Sequence, residues 1–305
     1  IELAYITRGM NWTADYVVVL GQDERNLDIT GWVTMTNNSG KSFEDAKLKL
    51  MAGDVNVEQP NRYSRKAEMA LESRLAYSAA APQFTEKSFA DYHLYTLERP
   101  ATVLNNQTKQ IELNNAYGVP YQKIYVYDGV PKYGWFYSFE ASPVSEPNMG
   151  SDFNKKVVQM IEFKNDEMSK MGMPLPAGKI RVYQQDKDGS QEFIGEDRID
   201  HTPKDEKIRV TLGNAFDVVG ERRQSEFKVL VPGHSVSESF EIKLRNHKDT
   251  DVTVKVPETL YRWSEWEIRN SSHSFTKIDS RHIEYNVKVP KDGETVITYT
   301  VIYNW

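Results

Sequence analysis

The sequence predicts an all-β protein, a tandem array of β-sandwich, immunoglobulin-like domains with one partly helical insertion. Three observations carry this. Nearly every apolar run alternates polar and apolar residues with the period of two that a half-buried strand shows. The runs are separated by Asn, Asp, Gly and Pro clusters that favour turns. Aromatic residues make up 11% of the chain, with 17 Tyr and 6 Trp, the large rings that pair across sheet faces.

In chain order, Asn11 to Leu20 and Leu27 to Thr36 read as strands. In the second, Ile29, Gly31, Val33 and Met35 share one face, and Asp28, Thr30, Trp32, Thr34 and Thr36 the other. Asn37 to Gly40 is a turn, and Ala46 to Met51 a third strand. The window 61–87 differs. It is rich in Ala, Glu, Arg, Leu and Met, which favour helix, and a partly helical, mobile insertion is expected there, with helix largely at 61–82. Strand patterns resume at Ala90 to Leu97, Gln107 to Leu113 and Gln122 to Tyr127. Residues 128–155 read as a Gly- and Pro-punctuated loop whose Tyr133, Trp135 and Tyr137 form a candidate binding patch.

Val157 to Phe163 is a strand, and Gly172 to Gly178 a stiff connector. The next stretch, Gly178 to Gly195, reads as a hairpin around which the sheet is organised. Ile180 and Val182 point one way and Arg181 and Tyr183 the other, with Asp188-Gly189 as a type I′ turn signal. Strands follow at 207–212 and 227–231, and five more short ones between 235 and 305. At 305 residues the chain can hold two or three cores. The expected division is 1–155, 156–234 and 235–305.

Composition narrows the function. A net charge of −6 argues against nucleic acid as a partner, because that role needs a basic face. With no cysteine there is no thiolate nucleophile and no Cys-ligated metal. No apolar run approaches the roughly 20 residues of a membrane-spanning helix. The chain opens on Ile1, so any export signal or anchor is expected to lie in a part that precedes it.

Several motifs occur together: Tyr5-Ile-Thr-Arg-Gly-Met-Asn-Trp-Thr-Ala-Asp-Tyr16, Gly31-Trp-Val-Thr-Met-Thr-Asn-Asn-Ser-Gly40, Leu48-Lys-Leu-Met-Ala-Gly-Asp-Val55, Tyr92-His-Leu-Tyr-Thr-Leu-Glu-Arg-Pro100, Gly195-Glu-Asp-Arg-Ile-Asp-His-Thr-Pro203 and Arg245-Asn-His-Lys248. In these the chain resembles the bacterial family called domain of unknown function 4139, which includes mucoidy-inhibitor-like proteins. The resemblance implies a β-rich exported protein, periplasmic or at the cell surface. It brings no catalytic residue with it.

The densest polar cluster is Glu196 to His201. Asp197, Asp200 and His201 are candidate catalytic residues, as an acid/base set or as metal ligands of a hydrolase. The competing reading is a solvated strand face with cross-strand ion pairs. Asp186, Asp188, Ser190 and Glu192 alternate oxygen groups, but without the terminal Glu of a calcium loop, and read as a hairpin turn. Asp91, His93, Glu98 and Arg99 read as a polar strand face. The six histidines lack His-x-x-x-His spacing, and neither Gly-x-Ser-x-Gly nor a phosphate-cradling glycine loop occurs. No cofactor or metal is expected. Arg8, Trp12 and Trp32 join the 133–137 aromatics as groups able to stack on a sugar or peptide. The expectation is therefore a non-catalytic envelope module binding a protein or glycan, with the hydrolase as its alternative.

Overall fold

A computed structural model describes residues 4–53, 83–89, 92–130, 143, 145–147 and 154–305. The described residues form strands and connections, with no helix. Hydrogen bonding joins thirteen strands in one large mixed sheet, beside a two-stranded and a three-stranded sheet. The chain divides into two compact units, residues 1–121 with 163–210 and residues 122–162 with 211–305.

In the first unit, β1 (Met10–Leu20) and β2 (Asn26–Asn37) form a long antiparallel pair. Their alternation has the expected phase. Ala14, Tyr16, Val18 and Leu20 of β1 and Ile29, Val33 and Met35 of β2 are buried, while Asp15, Trp32 and Thr34 are half-exposed on the other face. β3 (Phe43–Ala46) and β4 (Lys49–Ala52) divide the single strand expected at 46–51. β5 (Phe84–Phe89) pairs with β6 (Tyr92–Leu97), which pairs with β4. The end of the expected insertion is thus strand; residues 61–82 lie outside the described residues. β7 (Ala101–Val103) pairs with β3. Leu50, Ala52, Phe84, Tyr95, Leu97 and Val103 then pack with Val33, Met35, Ile111 and Leu113 in one apolar core.

β8 (Gln107–Val126), β9 (Lys156–Lys164) and β12 (Lys207–Val231) are long. β10 (Gly178–Gln185) and β11 (Gln191–Ile199) are the hairpin of the central stretch. β10 runs parallel to β1, and β11 closes the row as an edge strand in the order β11-β10-β1-β2-β8. The hairpin therefore ends the sheet instead of organising it. Its turn also differs from a type I′ turn, which needs positive φ at two residues. Here Gly189 alone has positive φ (88°), its N–H donates to Asp186 O at 3.0 Å, and the connection spans 186–190. Asp188 Oδ1 accepts from Ser190 N–H at 2.8 Å, so this carboxylate braces the turn.

The second unit holds β13 (Ser235–Asn246), β14 (Val252–Thr259), β15 (Trp266–Arg269), β16 (Phe275–Lys277), β17 (His282–Val289) and β18 (Gly293–Asn304). β12, β13, β18 and β15 are successive neighbours, and β14 pairs with β17, which pairs with β16. Phe240, Ile242, Leu244, Tyr299 and Val301 from the first set meet Val254, Val256, Ile283, Tyr285 and Val287 from the second in one core. Trp263 and Trp266 pack against it only partly buried, so Trp266→Ala loses less than the 3–5 kcal/mol or so of a fully buried ring.

Four charged side chains enter this core. Arg222, Glu238, Glu258 and Arg262 are each no more than 1% exposed. Arg222 Nε donates to both oxygens of Glu258 at 3.1 and 3.0 Å, its guanidinium stacks 3.9 Å from the Phe240 ring centroid, and the Tyr299 hydroxyl donates to Glu258. Arg262 Nη2, Tyr261 Oη and Gln224 Nε2 all donate to Glu238 Oε1, at 2.6, 3.0 and 2.7 Å. Pairing of this kind is what makes buried charge tolerable.

Candidate functional site

In the first unit a cleft of about 430 Å³ opens beside the start of the β1–β10 pair. β1 contributes Trp12 to Asp15, the end of β4 and the residue after it Met51 to Gly53, the entry to β10 Pro176 to Lys179, and β11 and its exit Arg198 and His201.

The entry segment is pinned from both sides. The buried Tyr95 hydroxyl donates to Pro174 O at 2.7 Å, and the Tyr16 hydroxyl to Pro176 O at 2.8 Å. Leu175 and Thr202 exchange both backbone hydrogen bonds, at 2.8 and 2.9 Å. Asn165 Nδ2 bridges Met173 O and Pro203 O, each at 3.0 Å. Burial pushes both phenols above their ordinary pKa, so they stay neutral donors. The connector read as stiff from its prolines is stiff through these carbonyls as well.

Gly178 sets the close approach of the two strands. A Cβ there would lie 2.3 Å from Ala14 O and 3.0 Å from the Tyr16 ring. Gly178→Ala should therefore force β1 and β10 apart and cost about 1–3 kcal/mol as overpacking. Denaturant unfolding measures it, and a midpoint unchanged from wild type would mean that the strands accommodate the methyl group.

Of the three candidate catalytic residues His201 alone lines the cleft, beside Arg198 of the same cluster. His201 Nδ1 lies 3.1 Å from Ala177 N. A backbone N–H can only donate, so Nδ1 accepts and the neutral ring carries its proton on Nε2. Asp197 is half-buried, facing Ile180 across the pair, and its Oδ1 accepts from Arg198 N–H at 2.8 Å. Asp200 is exposed, and its carbonyl accepts from the Thr202 hydroxyl at 2.8 Å. Neither aspartate lines the cleft. Glu196 forms ion pairs with Lys179 and Arg181 at 3.0 and 2.9 Å. Hydrogen bonding from Lys179, with Arg181 adding to it, holds its carboxyl below the usual range. Among the described residues no group of three or more His, Asp or Glu converges as a metal site.

Elsewhere, His93 pairs with Glu86 at 2.7 Å. Tyr133, Trp135 and Tyr137 lie outside the described residues. Trp12, singled out for stacking, lines the cleft, whereas Lys179 and the 51–53 wall were not singled out. Only their pairing with distant strands brings them there.

The family model described as Domain of unknown function (DUF4139) matches residues 1–305. The chain belongs to the DUF4139 family. The match spans both compact units of this DUF4139 chain. No curated protein matches it.

Proposed function

We propose that this DUF4139 chain is a non-catalytic binding module of the bacterial cell envelope that takes a protein or glycan partner through the β1–β10 cleft. The observation that carries the reading is the Ala177 N–H···Nδ1 bond of His201. To act as a general base, or to turn Nε2 to a metal, the ring must surrender the Nε2 proton. A histidine suited to those roles has its other nitrogen protonated and donating. Here that nitrogen accepts. What remains is an Nε2–H donor in a cleft with Trp12 and Met51 on its wall, a mix of apolar surface and a few polar groups that suits binding. Its size is in the range of ligand pockets, which run from about 300 to 1,000 Å³. The exported setting follows the family resemblance. The paired strand sets of the second unit, with one core between them, support an immunoglobulin-like sandwich there.

Metal content and hydrolytic activity of wild type, His201→Ala and Asp197→Ala provide the test. The expected result is wild-type protein without stoichiometric metal, and both variants with unchanged thermal stability and no activity lost. A metal or an esterase or peptidase activity that vanishes in His201→Ala at constant stability would replace this reading with the hydrolase.

A further inference from the structure

We infer that the ligand of this cleft carries a carboxylate on an apolar or aromatic body, with Arg198 as its anchor. The inference rests on the binding-module reading and names the ligand class. Charge is the first argument. Among the described residues Lys179 and Arg198 line the cleft with one carboxylate, Asp15, on a chain whose net charge is −6. A positive spot on an acidic protein selects for anions.

The second argument is which cation is uncommitted. The Lys179 ammonium is held by Glu196 Oε1 at 3.0 Å, and the other oxygen of Glu196 is held by Arg181. Asp15 Oδ2 accepts from the Thr34 hydroxyl at 3.1 Å. Among the described residues no carboxylate pairs with the Arg198 guanidinium. Arg198 stands opposite Lys179 across the β10–β11 pair, so its stem is fixed by a strand while its head stays exposed.

Charge then separates carboxylate from phosphate, because the planar fork of a guanidinium pairs with two oxygens of either anion. Arg198, the lining cation that no carboxylate of the described residues pairs with, balances one negative charge, and Asp15 in the same lining opposes a dianion. The Nε2–H of His201 adds a neutral donor. Trp12, Met51, Pro176, Ala52 and Ala177 supply the apolar surface for the body of the ligand. A free organic acid and the C-terminus of a peptide share this chemistry.

The probes are N-acetyl-phenylalanine, N-acetyl-alanyl-phenylalanine, the C-terminal amide of each, and inorganic phosphate. Binding is followed by calorimetry on the full chain, and each probe is recovered and analysed afterwards. The acids should bind with Kd on the order of 0.1–1 mM, as expected of small ligands. The amides and phosphate should bind at least about tenfold more weakly, the loss of a charged hydrogen-bond pair. Arg198→Gln should weaken the acids by a similar factor, while Arg181→Gln, whose side chain is already paired, should not. The single amino acid and the dipeptide binding alike indicates a site for free acids; the dipeptide binding better indicates a chain terminus.

Acids and amides binding equally, phosphate binding best, or no acid binding at all would overturn the carboxylate assignment. Equal binding of acid and amide would leave the binding module standing. Release of phenylalanine from the dipeptide would instead remove the non-catalytic reading, whatever the affinities.

Discussion

Raising the pH above about 10 should unfold the second unit in one cooperative step, and buried tyrosines are the cause. Tyr127, Tyr261, Tyr285, Tyr299 and Tyr303 are all at most 7% exposed. Burial pushes each phenol above its ordinary pKa of 10.0, in the case of Tyr285 up to about 12. Glu258 adds to the rise for Tyr127, Tyr285 and Tyr299, and Glu238 for Tyr261 and Tyr303. The sign follows from linkage. A group whose folded pKa is raised stabilises the fold fully below the unfolded value, and that stabilisation is lost as pH climbs from there through the folded value. The window therefore opens near pH 10. One pH unit above it, each phenol costs about 1.4 kcal/mol, and five together cost about 7 kcal/mol. That is comparable to the whole stability of a typical domain, about 5–15 kcal/mol. Phenolate absorbance from these residues should thus rise in the same pH step in which near-ultraviolet circular dichroism is lost. A gradual phenolate rise with the dichroism intact through pH 12 or so would mean that the rings ionise in place.

In β2 the alternation placed Ile29, Val33 and Met35 inward and Trp32 and Thr34 outward, and burial follows it, because a period of two translates directly into faces. Strand ends were harder. β8 and β12 each read as two strands with a gap, since Gly118, Pro120 and Gly213 look like breaks. The backbone instead runs through, with positive φ at Gly118 (68°) and Gly213 (143°), and Pro120 sits opposite Asn26 in the ladder. Glycine lets a strand bend without ending. The candidate site was half legible. His201 stood out as chemistry and Trp12 as a stacking surface, Arg198 did not, and the cleft exists only because β10 pairs in parallel with β1, so that Ala14 faces Gly178. No local pattern encodes a partner so distant in the chain. The buried charges were illegible for a related reason. Arg222 falls in the gap read between 212 and 227, Glu258 lies in β14, a charge in a sheet ordinarily points to water, and their partnership is purely tertiary.

That partnership should produce the largest single-residue effect in the protein. Glu258→Gln keeps the size of the side chain and removes its charge, leaving the Arg222 cation in a core where both residues are 0% exposed. Burial alone works against the charged guanidinium, and Glu258 beside it is the main influence holding it charged. Stacking on Phe240 at 3.9 Å is worth about 2 kcal/mol when desolvated, less than the cost of stranding the charge. The expected loss is about 3–5 kcal/mol, the range for breaking a buried pair by removing one member. Tyr299 also loses its acceptor carboxylate, which acts in the same direction. Position 241 supplies the control. Glu241 pairs with Arg223 at 2.9 Å one residue along the same strand as Arg222, but on its solvent-facing side, so Glu241→Gln should cost under about 1 kcal/mol. Replacing both members, as Arg222→Met with Glu258→Leu, should recover most of the loss, because the expense lies in a buried charge that has lost its counter-charge and not in the missing bond. Urea unfolding of the three variants beside wild type measures all of this, provided that the slope stays constant. A single-variant loss below about 1 kcal/mol, or a double variant no better than Glu258→Gln, would show that the Arg222 charge finds its compensation elsewhere.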